Sequence, residues 1–173
     1  WVFDKYILSI LVSSSQSLGT LKLPRSWISD STVKDVAPRL STIKYLDVRH
    51  CGNIGAPALE AIGNSCRHLI RLDRTVEEHI SYSRSIDEEA TAIAATMPKL
   101  KHLEIGYMRV STQGVLNILS GCPELEVLDI RGCRKVKLDD IFVQKVSSLK
   151  VFGPQLDCYD DPSHYFYRWR NVG

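Results

Sequence analysis

Apolar residues along this 173-residue chain follow two alternating rhythms. The first is a Leu-x-x-Leu-x-Leu-like phrase that begins at Leu18, Ile43, Leu69, Leu100, Leu125 and Leu149, and its alternation suits a half-buried strand. After each phrase the apolar spacing changes to three and four, which is the period of a helix. The intervals between phrases are 25, 26, 31, 25 and 24 residues. Each unit is therefore predicted to be one strand followed by one helix.

Local signals agree with that reading. In the first unit Leu18, Leu21 and Leu23 form the strand, Ser29 or Asp30 caps a helix carrying Val33, Val36 and Ala37, and Pro38 ends it. The second unit runs from Ile43, Leu46 and Val48 to a helix with Pro57 in its first turn, where the missing N–H costs nothing. In the fourth, Ser111 caps the helix of Val115, Leu116, Ile118 and Leu119. Pro98 and Pro123 each stand two residues before a strand leucine and return the chain to extended backbone.

The long third interval places an insertion after the strand, read as a loop over 74–86, with Ser85 and Glu88 forming a capping box that restarts a helix carrying Ala90, Ile93, Ala94 and Met97. Insertions in repeats map to loops on one face, often the binding face. Strand–helix units of this length predict an α/β fold: a right-handed leucine-rich-repeat solenoid of about six repeats, with a curved parallel sheet inside and helices outside. Residues 1–154 are read as that domain, with 1–17 carrying part of an earlier repeat. Residues 155–173, rich in aromatics (Tyr159, Tyr165, Phe166, Tyr167, Trp169), are read as a tail capping the last repeat. Arg168 and Arg170 between those rings raise the alternative of stacking on single-stranded nucleic acid, but a cap accounts for the same residues without a ligand.

Composition narrows the class. With 44% hydrophobic and 24% charged residues the chain is that of a globular protein, and a net charge of +2 gives no global reason for nucleic-acid or membrane binding. No apolar run approaches the roughly 18 residues of a bilayer span. The chain opens on Trp1 rather than Met, so further sequence is expected upstream. An odd count of five cysteines and the absence of any Asn-x-Ser/Thr sequon favour an intracellular home, nucleus and/or cytoplasm.

Four of the cysteines recur by position: Cys66 and Cys122 three residues before a strand leucine, Cys51 and Cys133 three after the last strand hydrophobe. Such small, weakly polar side chains suit the tight turns, so they are expected to be buried packing residues, and Cys158 the reactive one. No Cys-x-x-Cys pair or matching His spacing supports zinc, and neither metal nor cofactor is expected. Catalysis finds equally little support. His50 and Cys51 are adjacent in an extended phrase and face opposite ways, and no phosphate-binding glycine loop occurs.

The strand positions between the core leucines carry the candidate binding groups. Lys22, Asp47, Asp73, Glu104 and Asp129 align in successive units, and Arg49, Arg71, His102 and Arg131 lie beside them. Acids on strands about 4.8 Å apart repel unless compensated. Either the two sets pair into a surface network, or the acids accept a Lys/Arg-bearing segment of a partner, with Tyr45 and Tyr107 as aromatic anchors. On the second reading, changing Asp73, Glu104 and Asp129 to Lys abolishes binding and leaves the fold intact.

The phrase Cys122-Pro-Glu-Leu125-Glu-Val-Leu128-Asp-Ile130-Arg-Gly-Cys133 resembles the cysteine-containing repeats of F-box/leucine-rich-repeat proteins. The runs RLSTIKYLDVRHCGNIGAPALEAIGNSC and ATMPKLKHLEI look like the C-terminal half of plant proteins of that family, and the resemblance covers about residues 18 to 154. It implies a non-catalytic recognition module: repeats that select a protein substrate on their concave face, and an F-box, expected upstream of Trp1, that binds a Skp adaptor and through it a cullin ubiquitin ligase. The alternative is a scaffold or adaptor without a ligase. A secreted or receptor-type repeat is disfavoured because the Asn-x-Leu-x-Gly-x-Ile-Pro phrase is absent.

Overall fold

A computed structural model describes residues 18–76 and 87–154. The partial helix at 1–17, the Ser85 capping box, Cys158 and the aromatic tail all lie outside these residues. Six three-residue strands form one parallel sheet in chain order: β1 (Thr20–Lys22), β2 (Tyr45–Asp47), β3 (Arg71–Asp73), β4 (His102–Glu104), β5 (Val127–Asp129) and β6 (Lys150–Phe152). Helices alternate with them: α1 (Asp30–Val36), α2 (Ala56–Ser65), α3 (Asp87–Thr96), α4 (Thr112–Gly121) and α5 (Asp140–Lys145). The α/β alternation with a parallel sheet is the one the repeat predicts.

Register is uniform along the stack. Leu21, Leu46, Leu72, Leu103, Leu128 and Val151 stand side by side at the strand centres. The leucines at these centres share one buried core with Ile62, Ile93 and Ile118 of the helices. The ladder outlasts the strands. Val48 N–H donates to Asp73 O at 2.9 Å and His50 N–H to Thr75 O at 2.8 Å, and the equivalent Ile105–Asp129 and Tyr107–Arg131 bonds are 2.9 and 2.7 Å. Arg25, His50 and Tyr107 close this run at the same repeat position with φ near +60°, the left-handed region, and Gly132 occupies it in the next unit.

The helix signals act where the sequence puts them. Ser29 Oγ accepts from Thr32 N–H at the start of α1, Ser111 Oγ accepts from Gly114 N–H at 3.0 Å to start α4, and Pro57 lies in the first turn of α2. The α-helix of the first unit ends at Val36, and Pro38 sits in a short 3-10 turn, Ala37–Arg39. Each helix returns to its strand by one repeated turn, in which Ile43, Leu69, Leu100, Leu125 and Leu149 donate N–H to Leu40, Cys66, Met97, Cys122 and Val146 at 2.9–3.2 Å. Neighbouring helices approach closely, since a Cβ on Gly121 would collide with the backbone of Ala94.

The four recurring cysteines are buried, and each thiol donates to a carbonyl one repeat back: Cys51 to Leu23 at 3.0 Å, Cys66 to Leu40 at 3.1 Å, Cys122 to Met97 at 3.4 Å and Cys133 to Ile105 at 3.2 Å. Burial pushes the thiol of Cys66 up to about 11 and those of Cys122 and Cys133 up to about 12. They are packed S–H donors.

Two units depart from the sequence expectation. The last phrase is a residue short: Leu149 holds the turn, but Val151 rather than Phe152 pairs with Leu128, so Phe152 lands on the opposite face beside Asp129. The expected loop also begins too early, because residues 74–76 remain in the ladder. Arg74 N–H donates to Glu104 O at 2.8 Å, and the side chain fills the core position held elsewhere by Val48, Ile105 and Ile130. Its guanidinium pairs with Glu89 of α3 at 3.1 Å and donates to Ile54 O at 2.8 Å, with the two residues only 3% and 5% exposed. In α3 the inward residues are accordingly Glu89, Ala90, Ala92, Ile93 and Thr96, with Ala94 only partly covered.

A buried pair tolerates loss of both partners better than loss of one. Arg74→Leu or Glu89→Leu alone is expected to cost about 3–5 kcal/mol, and the double variant to recover most of it. Urea unfolding of the three variants checks this, and equal losses in all three would disprove it.

Candidate functional site: the sheet face away from the helices

Alternation along each short strand sends the residues on either side of the core leucine to the opposite face. One lane runs Thr20, Tyr45, Arg71, His102, Val127, Lys150, and the next Lys22, Asp47, Asp73, Glu104, Asp129, Phe152. The predicted alignment of four acids therefore exists. Their depth differs from the expectation, because Asp47, Asp73, Glu104 and Asp129 are buried to between 0 and 7% exposure.

Arginines cover them. Arg49 gives Nε and Nη2 to Asp47 at 3.0 and 2.8 Å, and the same Nε lies 3.1 Å from Asp73, so a single guanidinium bridges two repeats. Arg131 grips Asp129 through Nε and Nη2, and Arg71 reaches Glu104 at 3.0 Å. The aspartates also tie down backbone, since Asp47, Asp73 and Asp129 each accept the N–H two residues on, from Arg49, Thr75 and Arg131, at 3.1–3.2 Å. That local turn closes the strand end, a task for which Asp is the right length.

Among the described residues three arginines serve these four acids, and the middle of the lane is the most strongly shifted. Burial, with Asp73 and Asp129 as neighbours, raises the Glu104 carboxyl to about 8 despite Arg71. Asp73 is raised to about 6, chiefly by burial, against the pull of Arg49 and the Thr75 N–H. Arg49 is held charged above its usual range, first by its hydrogen bonds to Asp47. His102 is lowered by burial and then by Arg71, which favours its neutral form.

The two aromatic candidates separate. The Tyr45 ring lies under two cations, 4.7 Å from Arg71 Cζ and 5.3 Å from Lys22 Nζ, and burial lifts its phenol to about 12. Tyr107 stands at the end of the ladder, against Gly132 and partly packed on the core, so it is not in Tyr45's lane. Phe152, absent from the sequence-derived set, closes the acidic lane, with Lys150 Nζ at 5.3 Å and Arg131 Cζ at 5.9 Å from its ring. Its only sequence signal was a phrase one residue shorter than its predecessors. Among the described residues no cluster of three or more His, Cys, Asp or Glu could hold a metal, and no helix is long and apolar enough to cross a membrane.

A chain of stacked strand–helix units with buried turn cysteines has counterparts among known proteins. The F-box protein FBW2 of Arabidopsis thaliana is 47% identical over 152 residues, 87% of this chain and 48% of the relative. The chain belongs to the plant F-box/leucine-rich-repeat proteins. In the same plant the F-box protein SKIP1 is 35% identical over 136 residues, 71% of this chain and 45% of SKIP1. F-box/LRR-repeat protein 23 is 34% identical over 134 residues, 76% and 30% of the respective lengths. The chain thus spans about half or less of the length of these three relatives. No family model matches it.

Two outcomes follow from the buried acids. Glu104 binds its proton more tightly folded than unfolded, so stability present below about pH 4.5 is lost as pH rises towards 8. Glu104→Gln is expected to flatten that decline and to gain on the order of 1–2 kcal/mol at pH 8, read from urea midpoints across the pH range. Placing Lys at Asp73, Glu104 and Asp129 together is now expected to unfold the chain rather than spare its fold, as loss of the cooperative circular-dichroism melt would show.

Proposed function

We propose that this chain is the non-catalytic, substrate-binding part of an F-box subunit of a Skp–cullin–F-box ubiquitin ligase, working inside the cell in the nucleus and/or cytoplasm. Its form in this reading is a right-handed, curved leucine-rich-repeat solenoid, and the sheet face is its concave surface. The observation that supports the reading is that face itself: successive repeats set Tyr45, Arg49, Arg71, His102 and Arg131 partly exposed in ordered lanes, over buried carboxylates that fix them. Fixed arginines and aromatic rings are the residues that carry binding energy at protein interfaces. Kinship with F-box proteins supplies the ligase connection.

The docking set is Tyr45, Asp47, Arg49, Arg71, Asp73, His102, Glu104, Tyr107, Asp129 and Arg131, in which the acids position and the others make contact. The mechanism is proximity. Holding a substrate against a ligase that carries a ubiquitin-charged enzyme raises the effective concentration of the substrate's lysines, and no group of this chain needs to react. The Skp adaptor and cullin would be engaged through the F-box of the parent protein.

Affinity purification of the full-length parent from proteasome-inhibited plant cells tests this. The expected result is recovery of Skp and cullin subunits with a further protein that is lost when Tyr45→Ala is combined with His102→Ala. Reproducible partners without Skp or cullin would replace the ligase reading with a stand-alone adaptor.

A further inference from the structure

The sheet face sorts charge by depth. Its four carboxylates have side chains no more than 9% exposed, while the side chains of Arg131, Arg71 and Arg49 are 11, 17 and 26% exposed. Lys22 and Lys150, at opposite ends of the two lanes, are exposed outright and lie over the rings of Tyr45 and Phe152. An approaching molecule therefore meets Lys22, Lys150, Arg49, Arg71 and the aromatic rings first, while Arg131 and Asp129 lie at nearly equal depth. The sequence, where acids and bases alternate, suggests a face for a basic partner, and the structure reverses that preference.

A basic segment would have to displace guanidinium groups from desolvated carboxylates before reaching them, which exchanges one buried pair for another at no gain. Carboxylates arriving from outside meet cations already held in place. The six strands set the span: at about 4.8 Å per strand the lanes cover roughly 24 Å, which about seven extended residues would match. Single-stranded nucleic acid would also meet these cations, but polyphosphate binding is driven by net positive charge and counterion release. Here Asp47, Asp73 and Asp129 stand directly behind five cations, which weakens the field a phosphate chain needs and leaves short-range, oriented contacts as the main attraction.

We propose that this face takes an acidic, extended segment of a partner protein, whose carboxylates meet Lys22, Arg49, Arg71, Arg131 and Lys150 and whose apolar side chains meet Tyr45 and Phe152. The inference rests on the substrate-receptor reading and adds the chemistry of the substrate.

The test uses the full chain and three short fluorescent probes: an Asp/Glu-rich peptide containing one Tyr, its Lys/Arg-rich counterpart, and oligouridylate. Anisotropy titrations over a salt series are expected to show the acidic peptide bound at least about tenfold more tightly than the other two, with affinity falling as salt rises. Lys22→Glu with Lys150→Glu should weaken it by about tenfold or more, and Lys22→Gln with Lys150→Gln by less, with the thermal melt of the neutral pair unchanged. Tighter binding of the basic peptide or of oligouridylate overturns the proposal, and so does an acidic-peptide affinity indifferent to both pairs of substitutions. Cross-linking of the full-length parent to its cellular partners separates the two readings. A partner held on this face by a basic or uncharged segment defeats the acidic inference and leaves the receptor reading standing, whereas no protein cross-linked to the face defeats both.

Discussion

The described residues are placed by a parallel ladder whose register never slips between β1 and β5. Uniform register makes equivalent positions of successive repeats into neighbours, about 4.8 Å apart. For leucine that is favourable, and a continuous core follows. For an acid it is not, because a carboxylate repeated at one position becomes a column of like charge. The structure resolves the conflict with arginine. A planar guanidinium can hold one carboxylate edge-on and touch a second, as Arg49 does with Asp47 and Asp73, where a lysine would offer a single point of charge.

Much of this was legible in the sequence for physical reasons. The repeat interval sets which residues stack, so the aligned acids and the recurring cysteine turns could be read without coordinates. The caps Ser29 and Ser111 and the first-turn Pro57 are local chemistry and stayed where they were read. Depth was not legible. Whether Asp47 is on the surface depends on where Arg49 folds, and that is decided across strands. Arg74 was hidden for a related reason: a charged residue at the end of a strand reads as the start of a loop. Its counterpart Glu89 sat in an acidic run typical of a solvated helix start. The clue was alignment, since Arg74 falls where Val48 and Ile105 fall. The last repeat misled by a single deleted residue, enough to swap Val151 with Phe152 between faces because the strand period is two.

The same depth ordering reconciles a near-neutral chain with the chemical preference proposed for its sheet face. Composition averages over burial, whereas a partner samples only the outer few ångströms. Five cations and four acids sum to little, yet the acids are spent on holding the cations still. In the proposed binding mode the preorganisation of the surface would thus come from charges that never meet the ligand.

The Arg74–Glu89 pair joins the residue that follows β3 to the first turn of α3, and so bridges the two ends of the long third interval from inside the core. The closure entropy of the connection between them grows only logarithmically with its length. The flanking units are therefore expected to tolerate changes in the length of that connection at small cost. Evolution can lengthen, shorten or rewrite that stretch as a cassette, and a protein engineer can graft a foreign peptide there, while the flanking repeats keep their spacing.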